Sequence, residues 1–386
     1  MKHSLDPWAL APDVVHLNHG SYGGCPQLVV EAAAAWRARL EAAPMRFLVL
    51  EWQAELDRAR EALATFLRAP AERLAFVPNA TTATAIALAS APIASGDELL
   101  VTDHGYRACR NQLARIAAAR GARVVTVPIA LPFDADATVD AITRAITPRT
   151  KLALLDHITS PTALRMPLDR LIQALASRGV AIVIDGAHAP GQIPLDVGAL
   201  LAAGVTWYAG NNHKWLCAPK GTGFLVAAPD APLATVITSH GASMEYGPAN
   251  RFHAELDWMG TYDPTPHLTV PTAIATIAEL ANGWAHAVAR NHALALEMRD
   301  RLTEALGASR LAPDAAIGTM AAVPITLPPN TTALALEKQL LADGWEVPIV
   351  DFARGPLVRV SAHLYNNVDE ADRLAEKLRA VGVTGR

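Results

Sequence analysis

Asp185 and Lys214 stand twenty-nine positions apart, each just past an apolar run: AIVI before the aspartate, and VTWYAG before the Asn-Asn-His-Lys-Trp that holds the lysine. In an open α/β sheet, ligands bind beyond the carboxyl ends of the strands. An aspartate at such a place either caps the strand end or meets a ligand's charge. A lysine beside Trp215 and Leu216, ahead of a Pro-Lys-Gly-Thr-Gly turn, is poorly placed for water; its simpler role is to lay its stem over Trp215. Together the two residues suit one chemistry. A lysine desolvated enough to lose its proton offers a free amine that forms a Schiff base with an aldehyde. A carboxylate against a pyridine nitrogen keeps that nitrogen protonated, so the ring draws electrons from a substrate carbanion. The pair predicts pyridoxal 5'-phosphate as cofactor.

The elements that must position these residues are legible as short apolar runs rich in β-branched residues: LAFVP from Leu74, ELLVTD from Glu98, ARVVTVPI from Ala122, KLALLD from Lys151, AIVIDGA from Ala181, VTWYAG from Val205 and GFLVAA from Gly223. Several are near-continuous, as strands buried on both faces are. Helical spacing fills 81–90, 108–120, 168–178 and 197–203 between them, with Gly121 and Gly179 placed to end helices. This alternation predicts a doubly wound α/β domain. After Pro271 the texture changes to a long alanine-rich helical stretch through Leu306, an apolar strand-like run GTMAAVPITLP, a helix over 332–343, the strand PLVRVS and a last helix. The proline-spaced segment DPTPHLTVP at 263–271 marks the boundary of this α+β module.

A chain of 386 residues exceeds the usual domain of about 100 to 200, which fits two domains. Its 33 basic and 37 acidic residues leave a formal net charge of −4, which argues against a nucleic-acid or anionic-membrane surface and for a small ligand. Apolar runs such as LALL and AIVI fall far short of the roughly 20 residues of a bilayer span. The opening MKHSLDPWALAPDV carries prolines and acids where a secretion signal is apolar. A cytoplasmic chain is expected. Cys25, Cys109 and Cys217 share no CxxC spacing, so neither a disulfide framework nor a zinc knuckle is expected, and no metal site; each reads as a small core residue.

Eight motifs in order extend the reading along nearly the whole chain: LNHGSYGGCP from Leu17, NATTAT from Asn79, TDHGYRACRN from Thr102, DHITSPTA from Asp156, DGAHAPGQ from Asp185, NHKWLCAPKGTGFL from Asn212, GTYDPTP from Gly260 and VRVSAHLYN from Val358. With them the chain resembles a fold-type I pyridoxal phosphate enzyme of the class V aminotransferase superfamily, most closely its isopenicillin N epimerase-like branch. The resemblance implies a large, doubly wound, mostly parallel seven-stranded sheet domain over 21–262 and a smaller α+β C-terminal domain over 263–386. A segment 1–20 would pack on the small domain and the active-site mouth. It implies Lys214 as the Schiff-base residue, Asp185 at the pyridine nitrogen and His188 near the cofactor phenolic oxygen. Ala80, Thr81 and Thr82 would seat the phosphate at a helix start, where the simpler role is an N-cap by Asn79 or Thr81. Asn212 and His213 would close that cup, Asn standing where many relatives have Ser. Either His104 or Tyr106 would stack on the ring. Ser160 falls where desulfurase-like relatives carry an Asn that bonds the cofactor, and His157 reads equally as a core residue and a catalytic one. Arg359 would grip the substrate carboxylate, against the alternative of a surface salt bridge. Asn18, His19, Gly20 and Ser21 would line the mouth, and Gly260 and Thr261 would reach the phosphate of a neighbouring subunit, implying a homodimer with shared sites.

The reaction stays open at this stage. Transamination needs only Lys214 to carry a proton, epimerisation needs a second acid/base for which Tyr22, Tyr106 and His19 are available, and β-elimination, as in a C–S lyase, needs the lysine and a leaving group. The stretch 347–357 lacks the cysteine of a desulfurase loop. A reading from another class is a non-catalytic chain that binds the cofactor for regulation or as a partner; a nucleotide enzyme is disfavoured because no GxGxxG or GxxxxGK follows the early strands.

Overall fold

The computed structural model describes residues 6–243 and 250–386, so residues 1–5 of the amino-terminal segment lie outside it. Seven strands form the large sheet: β1 Leu74–Val77, β2 Glu98–Thr102, β3 Arg123–Val127, β4 Thr150–Asp156, β5 Ala181–Asp185, β6 Trp207–Asn211 and β7 Gly223–Ala227. Their spatial order is β1-β7-β6-β5-β4-β2-β3, and only β7 runs antiparallel to its neighbours. Alternate residues of each strand enter opposite cores. Phe76, Leu100, Leu155, Ile184 and Tyr208 join one apolar cluster, while Val77, Val101, Leu154, Val183 and Trp207 join the other. Both faces are therefore covered, the arrangement that makes parallel strands read as unbroken apolar runs. Among the described residues no helix is long and apolar enough to cross a membrane.

The alanine-rich stretch expected as one long helix is two, Val270–Leu280 and Trp284–Leu306. The break has a backbone cause: Asn282 and Gly283 take φ of 55° and 112°, outside the right-handed helical region. Packing partners change at the same place. Val270–Leu280 lies on the helices Gln27–Ala42 and Trp52–Leu67, whereas Trp284–Leu306 packs on strand Met320–Thr326 and helix Asp369–Ala380. The smaller sheet is antiparallel, in the order Ile349–Val350, Leu357–Ser361, Met320–Thr326, Thr384–Gly385.

The amino-terminal segment is stitched to this smaller unit. Val15–His16 pairs in parallel with Trp345–Glu346, and Ser361 N–H donates to the Leu17 carbonyl at 2.8 Å. Arg359 of the small sheet in turn donates to Ser160, just beyond the end of β4 in the large sheet, and to Ser21 of the amino-terminal segment.

Candidate active site

Asp185 ends β5, and the parallel register sets it beside Asp156 at the end of β4. Both carboxylates are buried. Asp185 accepts from the Ala187 N–H at 3.0 Å and from the Cys109 thiol at 3.2 Å, and Asp156 accepts from the Tyr106 N–H at 3.3 Å. Burial first and the Asp185 charge second push the Asp156 carboxyl well above its usual range. The same two causes, in the same order, raise the Cys109 thiol. Burial also raises the Tyr208 phenol, whose hydroxyl bonds His157 Nδ1 at 2.9 Å. His157 is thus occupied in the layer behind the two aspartates.

Lys214 lies three residues beyond β6, on a turn that Cys217 closes by donating its N–H to the Lys214 carbonyl at 2.9 Å. Cys217 adopts φ 58°, a left-handed conformation unusual for a residue with a side chain. The Lys214 side chain keeps some access to the cleft, yet the protein mass around its nitrogen is that of an interior. Burial, and after it the Arg359 charge, push its ammonium down to about 8. Its Nζ lies 3.2 Å from His188 Nε2. With the lysine donating, Nε2 accepts and the ring proton sits on Nδ1, which is buried without a protein partner. Burial, then Lys214, hold His188 well below the usual imidazole range, so it is neutral.

The helix Ala80–Ser90 begins directly behind β1, capped by Asn79, whose side chain accepts from the Thr82 N–H at 2.9 Å. Ala80 N–H donates to Asn211 Oδ1 at 2.8 Å. Two of the three helix-start donors expected at a phosphate thus have protein partners in this structure, and Thr81 accepts through its carbonyl from Gln112. Asn212 bonds the Thr222 hydroxyl at 3.0 Å and leaves its Oδ1 buried and unpartnered. His213 Nδ1 lies 3.1 Å from the Thr222 carbonyl.

Arg359 comes from the small sheet, paired across to Ala322, and is only 4% exposed. Its Nη1 donates to Ser160, to the carbonyl and at 3.3 Å to the hydroxyl. Nη2 donates to Ser21 Oγ at 2.8 Å and Asn18 Oδ1 at 3.4 Å, and Nε is buried with no partner. Every acceptor is neutral. Burial pushes the guanidinium down to about 10. Ser160 therefore meets Arg359, and Asn18 and Ser21 meet it from the other side. Gly20 N–H donates to Ser361 Oγ at 3.0 Å, and a side chain at Gly20 would strike Met320.

The remaining expected residues divide. Tyr106 is 44% exposed and, with Tyr22, lies within electrostatic reach of Arg359. His104 is fully buried instead, bonded to Thr162 at 2.8 Å and to Arg354 at 3.1 Å, and edge-on to Phe352. Of the two expected ring platforms, Tyr106 has the open face. His19 is turned away from the mouth: Nδ1 bonds Tyr365 and Nε2 the Lys214 carbonyl, while its ring stacks on His363. Gly260 and Thr261 keep open surface, with Thr261 exposed. Asp156, Cys109 and Asn211 join the site without having been singled out as ligand contacts. Asp156 ends one recognised strand and Asn211 follows another, so the strand-end rule points to both, whereas Cys109 lies within a helix and carries no such signal.

The cleft's chemistry fits pyridoxal phosphate. A buried, deprotonation-prone amine, a carboxylate at a strand end, and three unpartnered buried polar atoms on His188, Asn212 and Arg359 are the groups an aldehyde, a pyridine nitrogen and polar oxygens would satisfy.

Comparison with known proteins agrees with the geometry. The family model described as Aminotransferase class-V matches residues 24–374. The chain is similar to the isopenicillin N epimerase of Amycolatopsis lactamdurans, 37% identical over 96% of each chain, and to the L-cysteine desulfhydrase of Arabidopsis thaliana, 26% identical over 95% of this chain and 87% of that one. Its fold is similar to that of a cystine C-S lyase solved with its product cysteine persulfide, with a TM-score of 0.82 at 21% identity, over 95% of this chain and 97% of the other.

Proposed function

The chain belongs to the class V aminotransferase family of pyridoxal phosphate enzymes, and on that premise we propose that it acts at the α carbon of an amino acid or similar amine, with Lys214 as the group that moves the proton there. The observation that carries this reading is Arg359, a buried cation whose hydrogen-bond acceptors are all neutral oxygens. A substrate carboxylate supplies the missing counter-charge and a bidentate acceptor at once. Bound pyridoxal phosphate supplies the electron sink that makes loss of the α proton affordable.

The chain's own residues do the rest. Asp185 would hold the pyridine nitrogen and His188 the phenolic oxygen. The Asn79–Thr82 turn, with Asn212 and His213, would hold the phosphate, and Tyr106 the ring face. Neutral His188 accepts from the Lys214 amine and orients it. Arg359 fixes the substrate by its carboxylate, so the proton to be moved is presented in one orientation.

Within the family we favour an epimerase or aminotransferase of the isopenicillin N epimerase-like branch. Tyr22 and Tyr106, both exposed near Arg359, are positioned for the second acid/base that epimerisation needs. A second reading, C–S lysis, draws on the similarity to L-cysteine desulfhydrase; the absence of a cysteine over 347–357 argues against a desulfurase that takes sulfur onto itself. We further propose a homodimer. Leu28, Val30, Met45, Val49 and Leu50 of the early helices are each exposed, apolar side chains that a second subunit would cover, with Gly260 and Thr261 reaching the partner's site. The three free thiols suit a reducing, cytoplasmic setting.

The test is α-hydrogen exchange in deuterated water across a panel of amino acids, with keto acid, inverted product, sulfide and ammonia assayed. Exchange with inversion supports an epimerase, keto acid a transaminase, and sulfide a lyase. A cofactor-loaded protein that exchanges no α hydrogen would leave the non-catalytic reading in possession.

A further inference from the structure

Behind the Lys214 turn lies a buried cluster that the reaction itself does not use: His19, His363, Tyr365, Cys217, Trp8 and Trp215. One nitrogen each of His19 and His363 and the Cys217 sulfur fall within 4.8 Å of one another, a donor set that by composition suits a soft metal ion. The ring geometry rules against it. The two imidazoles are stacked, centroids 3.9 Å apart and planes 19° from parallel. A ligating nitrogen directs its lone pair within its own ring plane, so two stacked rings cannot both aim at one ion about 2.0–2.1 Å away. His19 Nε2 is also engaged, 3.1 Å from the Lys214 carbonyl.

That contact has a definite polarity. A carbonyl only accepts, so Nε2 carries the proton; Nδ1 then accepts from the Tyr365 hydroxyl at 3.0 Å. Burial keeps the imidazole neutral, pushed down to about 3, and stacking on His363 fixes its plane. We infer that His19 is a positioning residue for the reactive lysine: Tyr365 sets its tautomer, and its Nε2–H together with the Cys217 N–H clamps the Lys214 carbonyl from two sides. The clamp joins the amino-terminal segment and the small unit to the main chain of the turn that follows β6 of the large sheet. It explains why His19, expected at the substrate mouth, is turned inward while its neighbours Asn18 and Ser21 meet Arg359. The inference rests on Lys214 being the reactive lysine.

The test compares wild type with His19→Ala, His19→Gln and Tyr365→Phe. Each protein is stripped of cofactor, and the rate at which pyridoxal phosphate forms a borohydride-fixable adduct at Lys214 is followed, beside kcat, KM and melting temperature. His19→Ala and Tyr365→Phe are expected to slow adduct formation and kcat by about tenfold to a hundredfold, with KM changed far less. His19→Gln, which keeps an N–H donor, is expected to recover most of the rate. Tyr365→Phe loses a single hydroxyl and serves where His19→Ala fails to fold. Variants that fold and react at the wild-type rate overturn the clamp while leaving the lysine assignment intact. Failure of wild type itself to form the Lys214 adduct overturns that assignment, and the clamp with it.

Discussion

Asp156 and Asp185 are register partners on adjacent parallel strands, so the Asp185 carboxylate has a second carboxyl beside it in the sheet. Two buried acids so close do not both ionise readily. Asp156 is the one pushed upward, and it keeps hold of the loop through the Tyr106 N–H.

That upward displacement makes stability depend on pH. The folded chain keeps a proton on Asp156 that the unfolded chain releases above about pH 3.9, so folded stability declines as pH rises past that point. Asp156→Asn keeps the acceptor for Tyr106 and removes the titration. It is expected to leave the melting temperature unchanged below about pH 3.9 and to raise it increasingly at higher pH, measured by thermal unfolding of cofactor-free protein.

Lys214 has the opposite history. Its ammonium is pushed down to about 8 from 10.5, so the folded chain binds fewer protons than the unfolded one between those values and gains stability as pH rises through that window. Lys214→Met is expected to melt higher than cofactor-free wild type at pH 7, with the gap closing by about pH 10.5. The same variant is expected to form no borohydride-fixable adduct.

Arg359→Ala removes a buried cation whose acceptors are all neutral. Apparent affinity for carboxylate-bearing substrates is expected to fall by ~2–5 kcal/mol, against little change for amines that lack the carboxylate. Arg359→Lys is expected not to restore it, because an ammonium cannot form the two-point contact. Equal losses for both substrate classes would exclude Arg359 as the carboxylate anchor.

Gly23 takes φ 72°, and a side chain built there would lie 1.9 Å from the carbonyl oxygen of His213, which directly precedes Lys214. Gly23→Ala is expected to cost at least about 2 kcal/mol in urea unfolding and to slow adduct formation at Lys214, since relief requires the lysine's own turn to move.

The sheet was largely legible because strands covered on both faces leave unbroken apolar runs, as at 181–184 and 152–155. Strand-end position then pointed to Asp185, and the Asn-Asn-His-Lys-Trp context to Lys214. What one residue string does not carry is the direction of a side chain leaving a turn. His104 and His19 sit in motifs beside the cleft yet point into the protein, settled by Thr162 and Tyr365, which lie 58 and 346 positions away. The Asp156 pairing was hidden for the same reason, since register between parallel strands is a three-dimensional fact. The helix break at 281–283 was written in Asn282 and Gly283 but masked by the helical texture around them.

Strand Val15–His16 finds its partner only at Trp345–Glu346. Synthesis runs from amino to carboxyl end, so residues 15–21 are made long before 345–346 and 357–361, with which they pair and bond. All seven strands of the large sheet, the last ending at Ala227, are thus made while Asn18 and Ser21 still lack the Arg359 they bond, so on the proposed function the seat for a substrate carboxylate is the last part of the site to form.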